Sequence, residues 1–278
     1  MNPRACIIGF PVSHSRSPMV HSHWLELHGI AGEYIHADVS PVHFTDFIRA
    51  MPEKGFVGAN VTLPHKTALL ELSKHRTAEA QAAGAANTLW FENGELCADN
   101  TDIAGFLANL DAGAQGWDQG AETALVLGAG GASRGIIHGL KSRGFERVIV
   151  ANRTLANSEE LATVFGGLVQ PIHWHETERY LADADLLINS TSLGMAGQPA
   201  LELHLANLPA HAVVSDAVYV PLETPLLASA KLRGLRGVGG LGMLLHQAVP
   251  GFERWFGLRP SVTPELTRLI EADVERGH

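Results

Sequence analysis

Cysteine is scarce in this chain: Cys6 and Cys97 are its two thiols, each inside a short apolar segment that reads as a strand. So few thiols exclude a disulfide framework and point to reduced, packed side chains in a reducing compartment. Metal-ligand spacing is missing as well. The fifteen histidines are scattered, and His21/His23 and His173/His175 lack the Cys, Asp or Glu company of a ligand set, so no metal is expected. No apolar run is long enough to cross a bilayer, and residues 5–10 are too short, and too soon followed by Gly and Pro, to be a signal segment. The expected location is cytoplasmic. Positive charge is the other deficit, with 20 Lys and Arg against 29 Asp and Glu and a formal net charge of −9. Neither nucleic acid nor an anionic membrane is therefore expected as a partner, and any anionic ligand must be held by a local basic site. Internal repeats and low-complexity tracts are absent.

What is present is apolar material for two cores, 46% of 278 residues, with 18% charged. The first third alternates strands at 5–9, 33–37 and 58–62 with helices at 18–28 and 42–51, the pattern of an open, mostly parallel α/β sheet. A helix at 77–83 leads to extended pieces at 87–91 and 95–98 around Asn93-Gly94, a hairpin dipeptide. A further helix starts with Thr101 or Asp102 as N-cap and runs to about 110, and the glycine-rich segment 111–122 reads as a linker or loop. Strands then recur near 124–128, 147–151, 168–172, 185–190, 212–216 and 235–238, as in a Rossmann-like domain. Segments 241–256 and 264–276 are helical in period. The expected division is a first domain over 1–104, a nucleotide-binding domain over 105–240 and carboxyl-terminal helices over 241–278, the first packing back on the leading domain.

The run Thr123-Ala-Leu-Val-Leu-Gly-Ala-Gly-Gly-Ala-Ser-Arg-Gly135 reads as buried strand, glycine turn and helix start in succession. Gly128 suits the tight turn, Gly130 lets backbone N–H groups approach a pyrophosphate, and the helix from about Ser133 points its positive end at the anion. Ser133 stands where a third glycine is usual, so the run is a variant of the dinucleotide fingerprint; a glycine turn without a ligand is the competing account. The next strand ends in Asn152-Arg153-Thr154. An acidic residue there would accept from a ribose 2′-OH, whereas a guanidinium pairs with a 2′-phosphate, so Arg153 argues for NADP over NAD unless it is simply a solvated arginine.

Three polar clusters follow predicted strands of the first third: Ser13-His-Ser15-Arg-Ser17-Pro18, Asn60-Val-Thr62-Leu-Pro64-His-Lys66, and Asn87-Thr88 with Asn100-Thr-Asp102. Loops at one edge of an α/β sheet share a crevice, and this inventory of hydroxyls, amides, one ammonium and one carboxylate suits a small polyhydroxylated acid. Turn and cap chemistry by Ser, Asn and Thr is the plainer account of any one cluster. Hydride transfer to a ketone leaves an alkoxide that must gain a proton, and a lysine beside an aspartate can supply it. Lys66 as a helix start and Asp102 as a cap remain the alternative.

Read in order, these residues resemble the shikimate dehydrogenase family from the amino terminus to the last helices. The resemblance is carried by Gly9-Phe-Pro-Val-Ser-His-Ser-Arg-Ser-Pro18, Asn60-Val-Thr-Leu-Pro-His-Lys66, Gly84-Ala-Ala-Asn-Thr-Leu89, Asn100-Thr-Asp102, the glycine run with Asn152-Arg-Thr154, Asn189-Ser-Thr-Ser-Leu-Gly-Met195, and residues 216–227 followed by Gly240-Leu-Gly-Met-Leu-Leu-His-Gln247. It implies a cytoplasmic oxidoreductase of aromatic amino-acid (chorismate) biosynthesis that reversibly reduces 3-dehydroshikimate to shikimate with NADPH, as a monomer or homodimer. A substrate domain and a nucleotide domain would flank a cleft. By motif, Lys66 with Asp102 would be the acid/base pair. Ser15 and Ser17 would hold the substrate carboxylate with Tyr219 nearby, and Asn60, Thr62, Asn87, Asp102 and Gln247 would bind ring hydroxyls. Gly128, Ala129, Gly130, Gly131, Ala132, Asn152, Arg153, Thr154, Thr191 and Ser192 would contact NADP, with Met195, Val218 and Gly240 towards its nicotinamide end.

Three positions depart from the family pattern. Asn157 stands where many NADP-using members carry a second basic residue, which reduces the expected preference for NADP. Ile103 replaces a frequent glycine, and His65 fills a usually aromatic or apolar place; neither removes a reacting group. The Ser15/Ser17 pair is of the shikimate type, since quinate-using relatives often carry threonine at the second position. The competing functions are a quinate or aminoshikimate dehydrogenase, with NAD as an open choice of cofactor, and a non-catalytic NADP or metabolite sensor, which would not need Lys66.

Overall fold

The computed structural model describes residues 2–277. The chain divides into two compact units, Met1–Gly105 with Leu245–His278, and Phe106–Leu244.

The first unit contains strands β1 (Arg4–Gly9), β2 (Glu33–Asp38), β3 (Phe56–Val61), β4 (His75–Arg76), β5 (Thr88–Glu92) and β6 (Glu95–Asp99). They form one sheet in the order β2-β1-β3-β5-β6-β4. β1 is parallel to β2 and β3, and β4 to β6, but β5 runs antiparallel to both of its neighbours. The reversal is made by Asn93 and Gly94, with φ of 52° and 79°, the doubly positive pair that a two-residue hairpin turn requires. Helices α1 (Ser17–Leu27), α2 (Phe44–Ala50), α3 (Lys66–Leu72) and α4 (Ala78–Ala83) connect the strands. Thr77 caps α4 by accepting from the Ala80 N–H at 3.2 Å. Ile8, Ile48, Met51, Leu69 and Leu89 are fully buried in this unit.

Helix α5 (Thr101–Gly113) follows β6. Its cap differs from expectation by one position: Asn100 Oδ1 accepts from the Asp102 N–H at 3.1 Å, so neither Thr101 nor Asp102 is the capping side chain. Of the linker or loop expected over 111–122, the part beyond α5 is a loop of turns, but it is not a free linker. Helix α5 continues to Gly113, Ala114 and Trp117 are 2% and 3% exposed within the second unit's core, and Trp117 Nε1 donates to Asp111. Arg143 then ties this segment down by pairing with both Asp111 and Asp118. One buried tryptophan and this ion pair outweigh the local glycine content, and the division between units falls inside α5, after Gly105.

The second unit carries β7 (Thr123–Leu127), β8 (Arg147–Asn152), β9 (Val169–His173), β10 (Leu186–Asn189), β11 (Val213–Asp216) and β12 (Arg236–Val238). All pairings are parallel, in the order β12-β11-β10-β7-β8-β9, the doubly wound dinucleotide-binding topology with its reversal between β7 and β10. Alternation along β7 feeds two cores, Ala124 and Val126 on one face and Leu125 and Leu127 on the other. Helices α6 (Gly131–Ser142), α7 (Leu155–Phe165) and α8 (Pro225–Leu232) cover the sheet, and a 3₁₀ stretch, Trp174–Asp183, links β9 to β10.

Helix α9 (Leu241–Phe256) begins in the second unit and from Leu245 belongs to the first, as does α10 (Pro264–Glu275). Trp255 Nε1 donates to Leu89 O at 3.0 Å, which fixes α9 against β5. Among the described residues no helix is long and apolar enough to cross a membrane, and no cluster of His, Cys, Asp and Glu could hold a metal ion. Cys6 and Cys97 are both free and buried.

Candidate active site

The polar clusters of the first unit meet at one edge of its sheet. β1, β3 and β6 end there. Asn87 precedes its strand instead of following one, and it reaches the same edge because β5 is antiparallel. Cross-strand register then sets Asn60 opposite Thr88, and Thr88 opposite Asp99.

Lys66 is the first residue of α3. The turn before it is held by the His65 N–H, which donates to Thr62 O at 2.9 Å. The His65 ring is 2% exposed, stacks on Phe44 at 4.4 Å and donates from Nε2 to Val39 O at 2.7 Å. A flat ring, buried by stacking and held by this hydrogen bond, therefore pins the helix start. Lys66 Nζ donates to Asp102 Oδ2 at 2.6 Å, the two side chains being 28% and 27% exposed. Asp102 Oδ1 accepts from Asn87 Nδ2 at 2.8 Å. Asn87 Oδ1 in turn accepts from the Thr101 N–H at 2.8 Å and from the Thr88 hydroxyl at 3.0 Å, which fixes its amide orientation. Asn87 Nδ2 also reaches Gln247 Oε1 at 3.4 Å. Gln247 gets this close because Gly105 has no Cβ, which would lie 2.8 Å from the Gln247 backbone nitrogen.

Asn60 is 3% exposed and donates from Nδ2 to Thr88 Oγ1 at 3.2 Å. Ser15 and Ser17 form a pair, with Oγ atoms 3.3 Å apart and the Ser17 N–H on Ser15 Oγ. Thr62 is half-buried, with its backbone N–H on Ile8 O. Eight expected site residues thus lie in the first unit: Ser15, Ser17, Asn60, Thr62, Lys66, Asn87, Asp102 and Gln247. Tyr219 lies in the second. Thr88 and Thr101 stand in the sequence reading only as members of polar clusters, Thr101 also as a candidate N-cap, and Gly105 is not singled out; nearness in sequence to Asn87 and Asp102 is the signal that marks all three.

In the second unit the glycine turn follows β7. Gly128 has φ of +100°, and a Cβ there would stand 2.8 Å from Thr191 Cγ2. At Gly130 and Gly131 a Cβ would meet nothing within 4 Å, so the protein's own packing does not ask for glycine at either place. The open backbone in front of the α6 N-terminus fits a pyrophosphate. Ser133, in place of the third glycine, is fully buried and bonds Gly128 O at 2.9 Å and Ser190 Oγ at 2.8 Å, tying α6 to the turn. Asn152 Nδ2 donates to Thr154 O at 2.8 Å, which shapes the β8 tip, and Arg153 is exposed there. Asn157, on α7, is exposed as well and adds no charge.

Asn189 Oδ1 accepts from the Thr191 hydroxyl at 2.7 Å, and its Nδ2 donates to Asp216 Oδ1 at 2.8 Å. Asp216 is 1% exposed, and burial raises its pKa against the opposing hydrogen bonds from Thr224, Val218 and Asn189. This buried pair organises the loops that carry Thr191, Ser192, Met195 and Val218. Met195 is exposed and Val218 buried. Gly240 has a packing reason of its own, since a Cβ there would lie 2.2 Å from Ala217 O.

A doubly wound nucleotide unit, joined in one chain to a mixed α/β unit bearing a lysine–aspartate pair among amides and hydroxyls, defines a two-unit nicotinamide-dependent oxidoreductase. Family models sharpen this. Residues 7–89 match the shikimate dehydrogenase substrate binding domain, 113–198 the shikimate / quinate 5-dehydrogenase model, and 240–264 the shikimate 5′-dehydrogenase C-terminal domain. The chain belongs to the shikimate dehydrogenase family. Among its relatives, the shikimate dehydrogenase (NADP(+)) of Azorhizobium caulinodans is 55% identical over 98% of this chain and 96% of its own. The shikimate 5-dehydrogenase of Thermus thermophilus, solved in complex with NADP(H) and shikimate, is 36% identical with a TM-score of 0.85 over 100% of both chains. The quinate dehydrogenase of Corynebacterium glutamicum, solved with NAD, is 28% identical with a TM-score of 0.89 over 98% of this chain and 99% of its own.

Proposed function

We propose that this protein is an NADP-dependent shikimate dehydrogenase, interconverting 3-dehydroshikimate and shikimate in aromatic amino-acid biosynthesis. The observation that carries the reading is the 2.6 Å Lys66–Asp102 pair, held from behind by Asn87. Bound NADPH would supply the hydride for the ketone carbon, and NADP would accept it in the reverse direction. Lys66 gives its proton to the ketone oxygen as the alcohol forms, and Asp102 keeps the ammonium aimed at that oxygen. Ser15 and Ser17 are assigned to the ring carboxylate, which needs donors only, and Asn60, Thr62, Asn87, Asp102 and Gln247 to hydroxyls, which need both donors and acceptors. Tyr219 completes the carboxylate set.

In the nucleotide unit, Gly128, Ala129, Gly130, Gly131 and Ala132 receive the pyrophosphate, and Asn152, Arg153 and Thr154 the 2′-phosphate end. Thr191 and Ser192 are assigned to NADP as well, with Met195, Val218 and Gly240 at its nicotinamide end. The chain acts as a cytoplasmic monomer or homodimer on a small-molecule substrate. Steady-state assays with shikimate and quinate, each with NADP and NAD, test the reading: kcat/KM is expected to be largest for shikimate with NADP. Lys66→Ala is expected to lower kcat by about 10²- to 10⁴-fold, the range for a lost general acid. Near-wild-type turnover by that variant removes the proposed proton step.

A further inference from the structure

Behind the amides of the first unit stands a phenol to which no substrate role has been assigned. Tyr34, on β2, is 4% exposed and donates its hydroxyl proton to Asn60 Oδ1 at 2.7 Å. The Ser17 hydroxyl also hydrogen-bonds with this phenol, and burial pushes its pKa well above the ordinary value, which keeps the O–H intact. Its ring stacks face to face on His21 at 4.0 Å and 4°. His21 is fully buried beside Trp24, Phe252 and Trp255, and Asn60 is the polar side chain it faces. The phenol is thus locked in place, with Asn60 as the acceptor in front of it.

From that donor the hydrogen bonds run one way. Asn60 turns its oxygen to Tyr34 and so points its NH₂ at Thr88 Oγ1, 3.2 Å away. The Thr88 hydroxyl donates to Asn87 Oδ1, Asn87 Nδ2 donates to Asp102 Oδ1, and Asp102 Oδ2 faces Lys66. An amide has one accepting end and one donating end, so the Tyr34 donor sets which way Asn60 faces, and the Thr88 hydroxyl that accepts from Asn60 joins the Thr101 N–H in holding the Asn87 oxygen.

We propose that Tyr34 is a positioning residue for the shikimate dehydrogenase reaction: its hydroxyl sets the orientation of Asn60 and, through Thr88, supports the Asn87 amide that stands behind the carboxylate aiming Lys66. The inference rests on the functional reading above. It separates two consequences that a merely structural tyrosine would not, because the disturbed groups face the ring acid while the nucleotide unit is untouched.

The test is Tyr34→Phe, which keeps the stacked ring and deletes one hydroxyl. Leaving the buried Asn60 oxygen without its donor is expected to raise KM for shikimate about tenfold. The Kd for NADP is expected to stay at the wild-type value, and the Tm to fall by only a few degrees, as for one buried hydrogen bond. Thr88→Val breaks the same chain one link on and is expected to reproduce the loss, whereas Thr88→Ser keeps the hydroxyl and is expected to restore kcat/KM. Combining Tyr34→Phe with Thr88→Val is expected to cost no more than the worse single change, as for residues acting through one network. If Tyr34→Phe proves unstable, the Thr88 pair decides by the same criteria, since it leaves the aromatic box intact. Wild-type turnover of shikimate with an unchanged KM in Tyr34→Phe, with Thr88→Val matching Thr88→Ser, or with fully additive losses in the double variant, overturns the role of Tyr34 alone. No turnover of shikimate by the wild type overturns the functional reading and this role with it.

Discussion

Replacing Asp102 by asparagine preserves side-chain size and removes the ability to accept at both ends. In the native arrangement Oδ2 accepts from the Lys66 ammonium at 2.6 Å and Oδ1 from Asn87 Nδ2 at 2.8 Å. A carboxamide has one oxygen and one NH₂, so either orientation sets an N–H against another donor. Asn87 cannot turn to relieve the conflict, because its own oxygen is held by the Thr101 backbone N–H at 2.8 Å. At least one charge-assisted bond is therefore lost, worth about 1.5–3 kcal/mol, or roughly 10- to 150-fold in kcat/KM. The assay is steady-state oxidation of shikimate by NADP, with the Kd for NADP and the Tm measured alongside to separate misorientation from misfolding. An Asp102→Asn protein whose kcat/KM stays within about threefold of wild type would refute the idea that both oxygens are needed as acceptors.

Gly130→Ala is expected to leave the Tm unchanged, because its Cβ meets nothing within 4 Å, while weakening NADP binding by about tenfold or more as the methyl group stands where backbone must approach the pyrophosphate; titration calorimetry and thermal melts report the two effects separately. Burial brings the His21 pKa from 6.5 down to about 3, so between those values the unfolded chain binds a proton that the folded chain refuses. Stability is thereby lost as pH falls through that window, by up to ~1.4 kcal/mol per pH unit, and unaffected above it. Urea unfolding from pH 7 to pH 5 should show a shallower acid loss for His21→Phe than for wild type, and parallel curves would contradict the buried neutral ring.

Strands were legible where apolar, β-branched runs are bounded by glycine or polar turns, as at Arg147–Asn152, because burial on both faces of a parallel sheet leaves a continuous apolar signature. The Asn93-Gly94 hairpin was equally readable, since few other dipeptides tolerate two positive φ angles. Its consequence was not: reversing β5 carries Asn87 to the edge where β1, β3 and β6 end, and no local signal announces strand direction. Segment 111–122 is the loop its glycines announce beyond Gly113, but its anchoring was not legible. Its glycines are local, whereas the Trp117 burial and the Arg143 pairs that hold it come from distant residues. At the site, Lys66 and Asp102 were readable as motif members. Thr88 is marked by standing next to Asn87, whereas Tyr34 acts only through the groups between it and that pair, and a single chain gives no spacing rule for such a partner.

Glycines divide by what they make room for, and that division separates two kinds of reason for the same motif. At Gly240 a Cβ would lie 2.2 Å from Ala217 O, and at Gly58 it would lie 2.1 Å from Trp255 Nε1, so the fold alone accounts for both. At Gly130 and Gly131 the fold accounts for neither, since both face open space at the start of α6. Packing also claims Ser133, whose hydroxyl bonds the turn at Gly128 O and thereby does with a hydrogen bond what close glycine contact does in the commoner fingerprint. The variant spacing therefore leaves the phosphate cradle whole. What it changes is how helix and strand are joined; at the β8 tip Arg153 is exposed and Asn157 adds no charge, so under the proposed function that one arginine is the position expected to discriminate NADP from NAD.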